Sequence, residues 1–265
     1  MKKQRFIEKI KAKYKETKKR SLLIYLILRI LVIVCMVLQI IRGDWNNAFL
    51  CFLSLILFTI PTILQDRLKI TIPTVLEAII YLFIFSAEIL GEINNFYGNI
   101  PYWDTILHTI NGFLAAGVGF SLIDLLNENS QKIKLSPAFV AIIAFCFSMT
   151  IGVLWEFFEY GSDKYLQLDM QKDKIVSSIS SVALNPEQKN IPVVVNNIKE
   201  THIITENGDD IVIEGGYLDI GLNDTMKDLL VNFVGAVVFS FLGYLYILNR
   251  DKYRFAANFI PTKNE

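Results

Sequence analysis

Ionisable side chains that could do chemistry recur at helical spacing in three apolar stretches of the sequence. They form three pairs: Asp104 and His108, Glu156 and Glu159, and Asp224 and Asp228. Residues three or four positions apart lie on one face of an α-helix. Ionisable groups inside apolar helices are costly, and they usually face a bundle interior or a wet cavity. The spacing therefore predicts that each pair faces inward.

A set of carboxylates with a single imidazole is suited to two kinds of chemistry. A divalent cation neutralises carboxylates that could not otherwise be buried together, and Zn²⁺, Mn²⁺ or Fe²⁺ suits histidine with carboxylates. Alternatively, the carboxylates share protons and serve as a proton relay or as a general acid and base. A third interpretation is a hydrogen-bonded network that joins three helices and has only a structural role.

We predict one pocket formed by these pairs, with Asn232 in a supporting position. Small residues recur on the same helix faces, such as Gly112 and Ala236, and small residues let helix backbones approach closely. The candidate metal ligands are His108, Glu156, Glu159, Asp228, Asp104 and Asp224. The candidate catalytic residues are Glu156, Glu159 and His108.

The elements that must position these residues are membrane spans. Of the 265 residues, 53% are hydrophobic, and they come in runs of about 20, the length of helix that crosses a bilayer. The predicted fold class is an all-α integral membrane protein with a six-helix bundle and a small extracytoplasmic β-rich insert. We predict spans near 21–41, 47–64, 72–91, 104–126, 137–159 and 226–248. The first five spans occupy residues 21–159, and the sixth occupies 226–248.

The short connections between the spans alternate in Lys and Arg content. Residues 1–20 carry ten, the next four connections carry one, two, none and two, and the tail at 249–265 carries four. Cytoplasmic connections carry the excess of basic residues. We therefore predict a multi-pass protein of the cell membrane with both termini in the cytoplasm. All three ionisable pairs then lie in the outer half of the bilayer or at its outer surface.

Two segments outside the spans have their own character. Residues 1–20 are predicted as a basic amphipathic helix on anionic lipid headgroups, and not as a nucleic-acid binder. Residues 160–225 carry eleven Asp or Glu against five Lys. The β-branched run 191–195 and the Asn207-Gly208 turn predict short strands and a hairpin there. Within the spans, Arg29 and Glu77 are candidates for an ion pair.

Three motifs resemble those of a family of uncharacterised bacterial inner-membrane proteins of the YjdF-like type. They are Tyr102-Trp103-Asp104-x-x-Leu107-His108-x-x-x-Gly112, Trp155-Glu156-x-x-Glu159, and Asp224-Thr225-x-x-Asp228-x-x-x-Asn232-x-x-Gly235-Ala236. The resemblance covers about residues 70–250. A more distant similarity is to VanZ-like membrane proteins, although the long insert before the last span departs from their pattern. The resemblance implies a grouping of the motifs and no particular reaction.

The sequence leaves three functions open. The first is a metal-dependent or acid–base enzyme that acts on a lipid or an envelope precursor. The second is a cation- or proton-coupled transporter, and the third is a non-catalytic envelope or stress-response protein. The sequence contains no P-loop, Gly-x-Ser-x-Gly elbow, His-Glu-x-x-His or Cys-x-x-Cys motif, so nothing in it predicts a nucleotide or redox cofactor.

Overall fold

The structure, a computed structural model, describes residues 2–129, 134–187 and 189–263. Within these residues, six helices are long and apolar enough to cross a membrane, which confirms the predicted fold class. The six spans are Ser21–Arg42, Trp45–Arg67, Thr74–Ile93, Trp103–Asp124, Pro137–Leu166 and Leu222–Leu248.

The helices follow one another with short connections through most of the chain. Their bounds are α1 Lys2–Arg42, α2 Trp45–Leu57, α3 Ile60–Leu68, α4 Thr74–Ile84, α5 Phe96–Asn99, α6 Trp103–Asn129, α7 Pro137–Leu166 and α8 Leu222–Leu248. A π-helix, Phe85–Ile93, continues α4, and two 3₁₀ helices span Val182–Leu184 and Arg254–Phe259. The helix predicted at 1–20 is not a separate element, since α1 runs without a break into the first span.

The second span is interrupted, and the cause is local. Pro61 lies in the first turn of α3, where a residue without a backbone N–H is tolerated. The same residue cannot continue the hydrogen bonding of α2, which ends at Leu57. The span therefore consists of two consecutive helices.

The chain divides into two compact units. Unit 1 comprises Met1–Gly152 and Leu230–Glu265, and unit 2 comprises Val153–Leu229. Helices α7 and α8 each contribute residues to both units.

The described residues of unit 1 form three apolar clusters, a small one at Ile70, Ile72 and Leu76 and two larger ones. The first of the larger clusters joins α1, α2 and α4 with the π-helix, through Leu28, Val32, Cys51, Phe58, Tyr81 and Ile89. The second joins α6, the start of α7, α8 and the C-terminal segment, through residues that include Ala116, Phe120, Val140, Ala144, Ala236 and Phe239. Small residues are frequent in the second cluster, so the helices there pack closely.

The C-terminal segment of unit 1 returns to the helix ends. Strand β8, Thr262–Lys263, pairs antiparallel with β1, Ile70–Thr71. Nη2 of Arg250 lies 3.0 Å from both carboxylate oxygens of Asp124. The segment that follows the last span is therefore anchored to two earlier parts of the chain.

The described residues of unit 2 form three antiparallel strand pairs between α7 and α8. Strand β2, Lys174–Val176, pairs with β7, Tyr217–Asp219; β3, Ile179–Ser181, pairs with β4, Val193–Val195; and β5, Glu200–Ile204, pairs with β6, Asp210–Glu214. The turn between β5 and β6 contains Gly208 at φ +87°, a conformation that favours glycine. This confirms the predicted hairpin and the predicted strand near residue 193.

Candidate functional site

The first turns of α6 bring two predicted site residues into contact. Oδ1 of Asp104 lies 3.3 Å from Nε2 of His108, one helical turn away. Both side chains are shielded, with 20% of Asp104 and 12% of His108 exposed. A carboxylate in this position fixes the orientation of an imidazole, as it does beside metal-ligating histidines.

Trp103 attaches the same end of α6 to the neighbouring span. Its indole Nε1 donates a hydrogen bond to the carbonyl oxygen of Ser86, at 3.3 Å. Its ring meets Phe96 edge-on, with the centroids 5.0 Å apart. Tryptophan is enriched where a membrane meets water, so the Asp104–His108 pair lies at the end of a span beside an aromatic anchor.

Glycines bring α6 and α8 into backbone contact. A Cβ atom on Gly112 would lie 2.1 Å from the carbonyl oxygen of Asn232, and one on Gly235 would lie 2.0 Å from the carbonyl oxygen of Thr109. No side chain fits at either position, so this contact requires glycine on both helices. The close approach predicted from the small residues is present.

Asn232, predicted as a supporting residue, lies at the junction of three helices. Its Oδ1 accepts a hydrogen bond from Nδ2 of Asn111 on α6, at 3.2 Å. A Cβ atom on Gly152 of α7 would lie 2.7 Å from Nδ2 of the Asn232 side chain. Asn111 was missed by the sequence reasoning, although it follows Asp104 by seven residues, about two turns on the same face.

Unit 2 contains the predicted carboxylates of α7. Glu156 and Glu159 are both buried. The indole Nε1 of Trp155 donates a hydrogen bond to Oε1 of Glu159, at 2.7 Å. Buried carboxylates in a span are costly unless neighbouring groups neutralise them, and the place of these two residues in a functional cluster stays a prediction.

Asp224, another predicted ligand, holds a loop of unit 2. Its Oδ2 accepts a hydrogen bond from the backbone N–H of Lys172, and its Oδ1 accepts one from Nζ of Lys174, both at 2.9 Å. Asp163, at the end of α7, accepts hydrogen bonds in the same way. Its Oδ1 accepts one from the backbone N–H of Met170, at 2.6 Å, and its Oδ2 accepts one from the backbone N–H of Gln171, at 2.7 Å. The two aspartates thus anchor the segment after α7 to both helices.

Asp228 is the most deeply buried of the predicted carboxylates, with 1% of the residue exposed. Nζ of Lys227 lies 3.6 Å from its Oδ1. Asp228 is one turn from Asp224 on α8, yet the two residues have different surroundings. Both aspartates are buried in the last span, and Asp224 in addition anchors the loop after α7.

The predicted site residues are therefore distributed over the two units. Unit 1 brings Asp104 and His108 together and places Asn232 at the contact of α6 with α8. Unit 2 contains the predicted carboxylates Glu156, Glu159, Asp224 and Asp228. The prediction that all of them share one pocket stays a prediction.

Two other predicted polar residues have separate partners. Glu77 accepts hydrogen bonds from Oγ of Ser21, at 2.7 Å, and from the hydroxyl of Tyr81, at 3.3 Å. Arg29 instead donates to the hydroxyl of Tyr25 and lies over its ring. The proposed Arg29–Glu77 ion pair is thus replaced by hydrogen bonds, one of which links α1 to α4.

The second histidine of the chain lies on the β5–β6 hairpin. Nδ1 of His202 is 2.9 Å from Oδ1 of Asp210, and Nε2 is 3.5 Å from Oε1 of Glu200. The hydrogen bond to Asp210 and its charge, with Glu200 in support, raise the pKa of His202. Both side chains of the pair are exposed.

The six spans and their buried ionisable residues define a polytopic helical membrane protein. The chain belongs to the family described as "Predicted membrane protein (DUF2238)", whose model matches residues 23–183. The match includes the motifs of α6 and of α7 and stops before the motif of α8. It supports an uncharacterised membrane family, while the YjdF-like and VanZ-like resemblances stay predictions.

A relative in Thermotoga maritima, described as "Uncharacterized protein", is 32% identical over 83 residues. The aligned region is 31% of this chain and 41% of the relative, so the chain spans about two fifths of that protein. No solved structure matches the chain.

Proposed function

We propose that this protein is a metal-dependent membrane enzyme that acts on a lipid or an envelope precursor. The observation that carries the proposal is the contact between Asp104 and His108, 3.3 Å long and shielded at the end of a span. An imidazole held by a carboxylate is the usual arrangement at a catalytic metal. The helix that presents it is fixed by the glycine contacts of Gly112 and Gly235.

The proposed donors are His108, Asp228 and Asp104. His108 precedes Gly112 by one turn of α6, and Asp228 precedes Asn232 by one turn of α8. Each of these two proposed donors thus precedes, by one helical turn, a residue of the backbone contact between Gly112 and Asn232. One imidazole with carboxylates suits Zn²⁺, Mn²⁺ or Fe²⁺.

The remaining predicted residues have other roles in the proposal. A bound cation would supply Lewis acidity or an activated water. Glu156 and Glu159 are the proposed general acid and base, since both are buried carboxylates in a span. Asp224 is proposed as a positioning residue because both of its oxygens are bonded to the loop that contains Lys172 and Lys174.

Elemental analysis of the full chain, purified in detergent, tests the metal site. We expect near-stoichiometric Zn, Mn or Fe in the wild type and a loss of most of it in His108→Ala. His202→Ala is the matched control, because it removes the other histidine of the chain, which also contacts an aspartate. Metal-free wild type whose thermal stability is unchanged by chelator would contradict the proposal.

A transporter is the second candidate, and the observation that favours it is the burial of Glu156 and Asp228 within spans. Buried carboxylates of this kind occur in proton and cation pathways. Flux of protons or Mn²⁺ into liposomes that contain the wild-type protein, abolished in Asp228→Asn, would favour the transporter over the enzyme.

The proposed orientation places both termini in the cytoplasm, with residues 1–20 on anionic lipids and the β strands outside. It is supported by the alternation of Lys and Arg along the sequence. In a variant without Cys35, Cys51 and Cys146, a membrane-impermeant maleimide should label Glu206→Cys in intact cells. It should label Lys252→Cys only after permeabilisation, and the reverse result would invert the topology.

A further inference from the structure

An apolar groove of about 240 Å³ lies between α4 with its π-helix extension and α6. Its lining residues are apolar except for Ser86 and the indole nitrogen of Trp103. Leu107 at its base is buried, whereas Leu82 and Ile106 at its rim are 47% and 51% exposed. The groove is therefore open along one side of two membrane spans.

Specific contacts hold the wall of the groove at Trp103. Trp103 donates its indole hydrogen to the carbonyl oxygen of Ser86, and Phe96 packs against the same ring. Ser86 belongs to the π-helix Phe85–Ile93, and π-helical turns are frequent at functional sites. These contacts thus fix the position of Trp103 in the groove wall at the end of the span.

The groove and the Asp104–His108 pair are on adjacent faces of α6. Trp103 and Leu107 line the groove, and they directly precede Asp104 and His108 in the sequence. From Trp103 to Ile110 the helix rises about 10 Å, at about 1.5 Å per residue. A chain lying in the groove would thus have its polar end beside the two ionisable side chains.

We infer that the groove binds one acyl chain of a membrane phospholipid and presents the headgroup to Asp104 and His108. This inference rests on the proposed function and names its substrate class. The bilayer supplies acyl chains along the whole open side of the groove, and the described lining residues include no charged side chain that would exclude them.

The expected preference is modest. Lipid tails are as apolar as the lining, so no hydrophobic driving force favours the groove over the bulk bilayer. Preference must come from packing against Phe83 and Leu107 and from polar contacts of the headgroup. We therefore expect a several-fold enrichment at this face, and not an irreversible complex.

The test uses the full chain in nanodiscs of phosphatidylcholine and phosphatidylglycerol with a small fraction of phospholipid that carries a diazirine on one acyl chain. After irradiation, labelled peptides are mapped by mass spectrometry. We expect Ile79–Ser86 and Trp103–Ile110 to be labelled about fivefold more than the exposed face of α1, which includes Leu23 and Ile30. Even labelling of all spans would overturn the inference and leave only unspecific lipid contact.

Variants separate the groove from the helix surface in general. Leu82→Trp fills the groove and should lower its labelling about fivefold. Val75→Trp is the matched control, since Val75 is also exposed on α4, two turns away and outside the groove. Equal labelling in the two variants would overturn the inference, and so would stronger labelling by a diazirine-bearing polyprenyl phosphate than by the phospholipid.

The same samples test the lipid groove and the metal site separately. Leu82→Trp should lose groove labelling and keep the wild-type metal content. His108→Ala should lose metal and keep labelling of the groove lining. If the wild type contains no metal but its groove is labelled selectively by lipid, the proposed enzyme chemistry is wrong and the lipid groove still stands. If metal is present and lipid labelling is even over all spans, only the proposed lipid groove is wrong.

Discussion

The two histidines of this protein have similar partners and different surroundings. His108 contacts Asp104 at 3.3 Å within α6, and 12% of its side chain is exposed. His202 contacts Asp210 at 2.9 Å across the β5–β6 hairpin, and 44% of its side chain is exposed. The shorter contact is thus in the more exposed place.

This difference shows that the distance between a histidine and an aspartate does not decide the importance of the pair. Around His202, water and salt screen the charges, and exposed ion pairs contribute little to stability. Around His108, shielding strengthens every electrostatic interaction, while the helix spacing fixes the geometry. The shielded pair is therefore the better candidate for binding and chemistry.

The largest expected effect concerns the glycines in the two elements that carry the histidines, α6 and the β5–β6 hairpin. Gly112→Ala places a methyl group 2.1 Å from the backbone oxygen of Asn232, so α6 and α8 must separate. We expect the free energy of unfolding to fall by about 3 kcal/mol, the upper range for overpacking, as measured by reversible unfolding in mixed micelles.

Gly208→Ala in the hairpin is the comparison for that variant. Gly208 has φ +87°, and a Cβ atom added there would meet nothing within 4 Å among the described residues. The cost is therefore only that of a left-handed conformation, about 1 kcal/mol. Equal losses in the two variants would mean that the α6–α8 contact is looser than the structure indicates.

The next largest effect is on metal affinity, and it distinguishes Asp104 beside His108 from Asp210 beside His202. Asp104→Asn removes a proposed metal donor beside His108, and we expect metal affinity to fall by at least about 10- to 100-fold, the loss that follows removal of even an outer partner of a ligating histidine. Asp210→Asn should leave metal affinity unchanged. Competition with a chelator of known affinity measures both variants, and a loss in Asp210→Asn alone would move the metal to the hairpin.

Much of the fold follows from local sequence patterns. Apolar runs of about 20 residues predict the spans because a bilayer has a fixed thickness, and Asn207-Gly208 predicts the hairpin because glycine accepts a positive φ. The continuous α1 was missed because the change of charge near residue 20 was interpreted as a boundary. Lys, Glu and Leu favour helix on both sides of it.

The candidate site was less predictable because its contacts are long-range. Spacing found the Asp104–His108 contact, since both residues are on one helix. It could not distinguish Asp224 from Asp228, because the partners of Asp224 are Lys172 and Lys174, about 50 residues earlier. The π-helix that forms one wall of the groove depends on packing, which no local pattern in Phe85–Ile93 indicates.

The smallest expected effect is the pH dependence of the hairpin. The hydrogen bond and the charge of Asp210 raise the pKa of His202 above 6.5, with Glu200 in support. Because the folded value is the higher one, the stabilisation is fully present below the unfolded value of about 6.5 and is lost as the pH rises through the folded value. At pH values above the folded pKa of His202, amide hydrogen exchange of Glu200–Glu214 should therefore be slightly faster than its intrinsic pH dependence alone would make it.

NMR of the His108→Ala variant labelled at histidine isolates this titration, because only His202 then remains. Its midpoint should lie above 6.5 and shift down in Asp210→Asn. In Glu200→Gln a smaller downward shift is expected, since its contact with Nε2 is longer, at 3.5 Å. An unchanged midpoint in Asp210→Asn would show that the hairpin contact is absent in solution, and the similarity between the two histidines would then be lost.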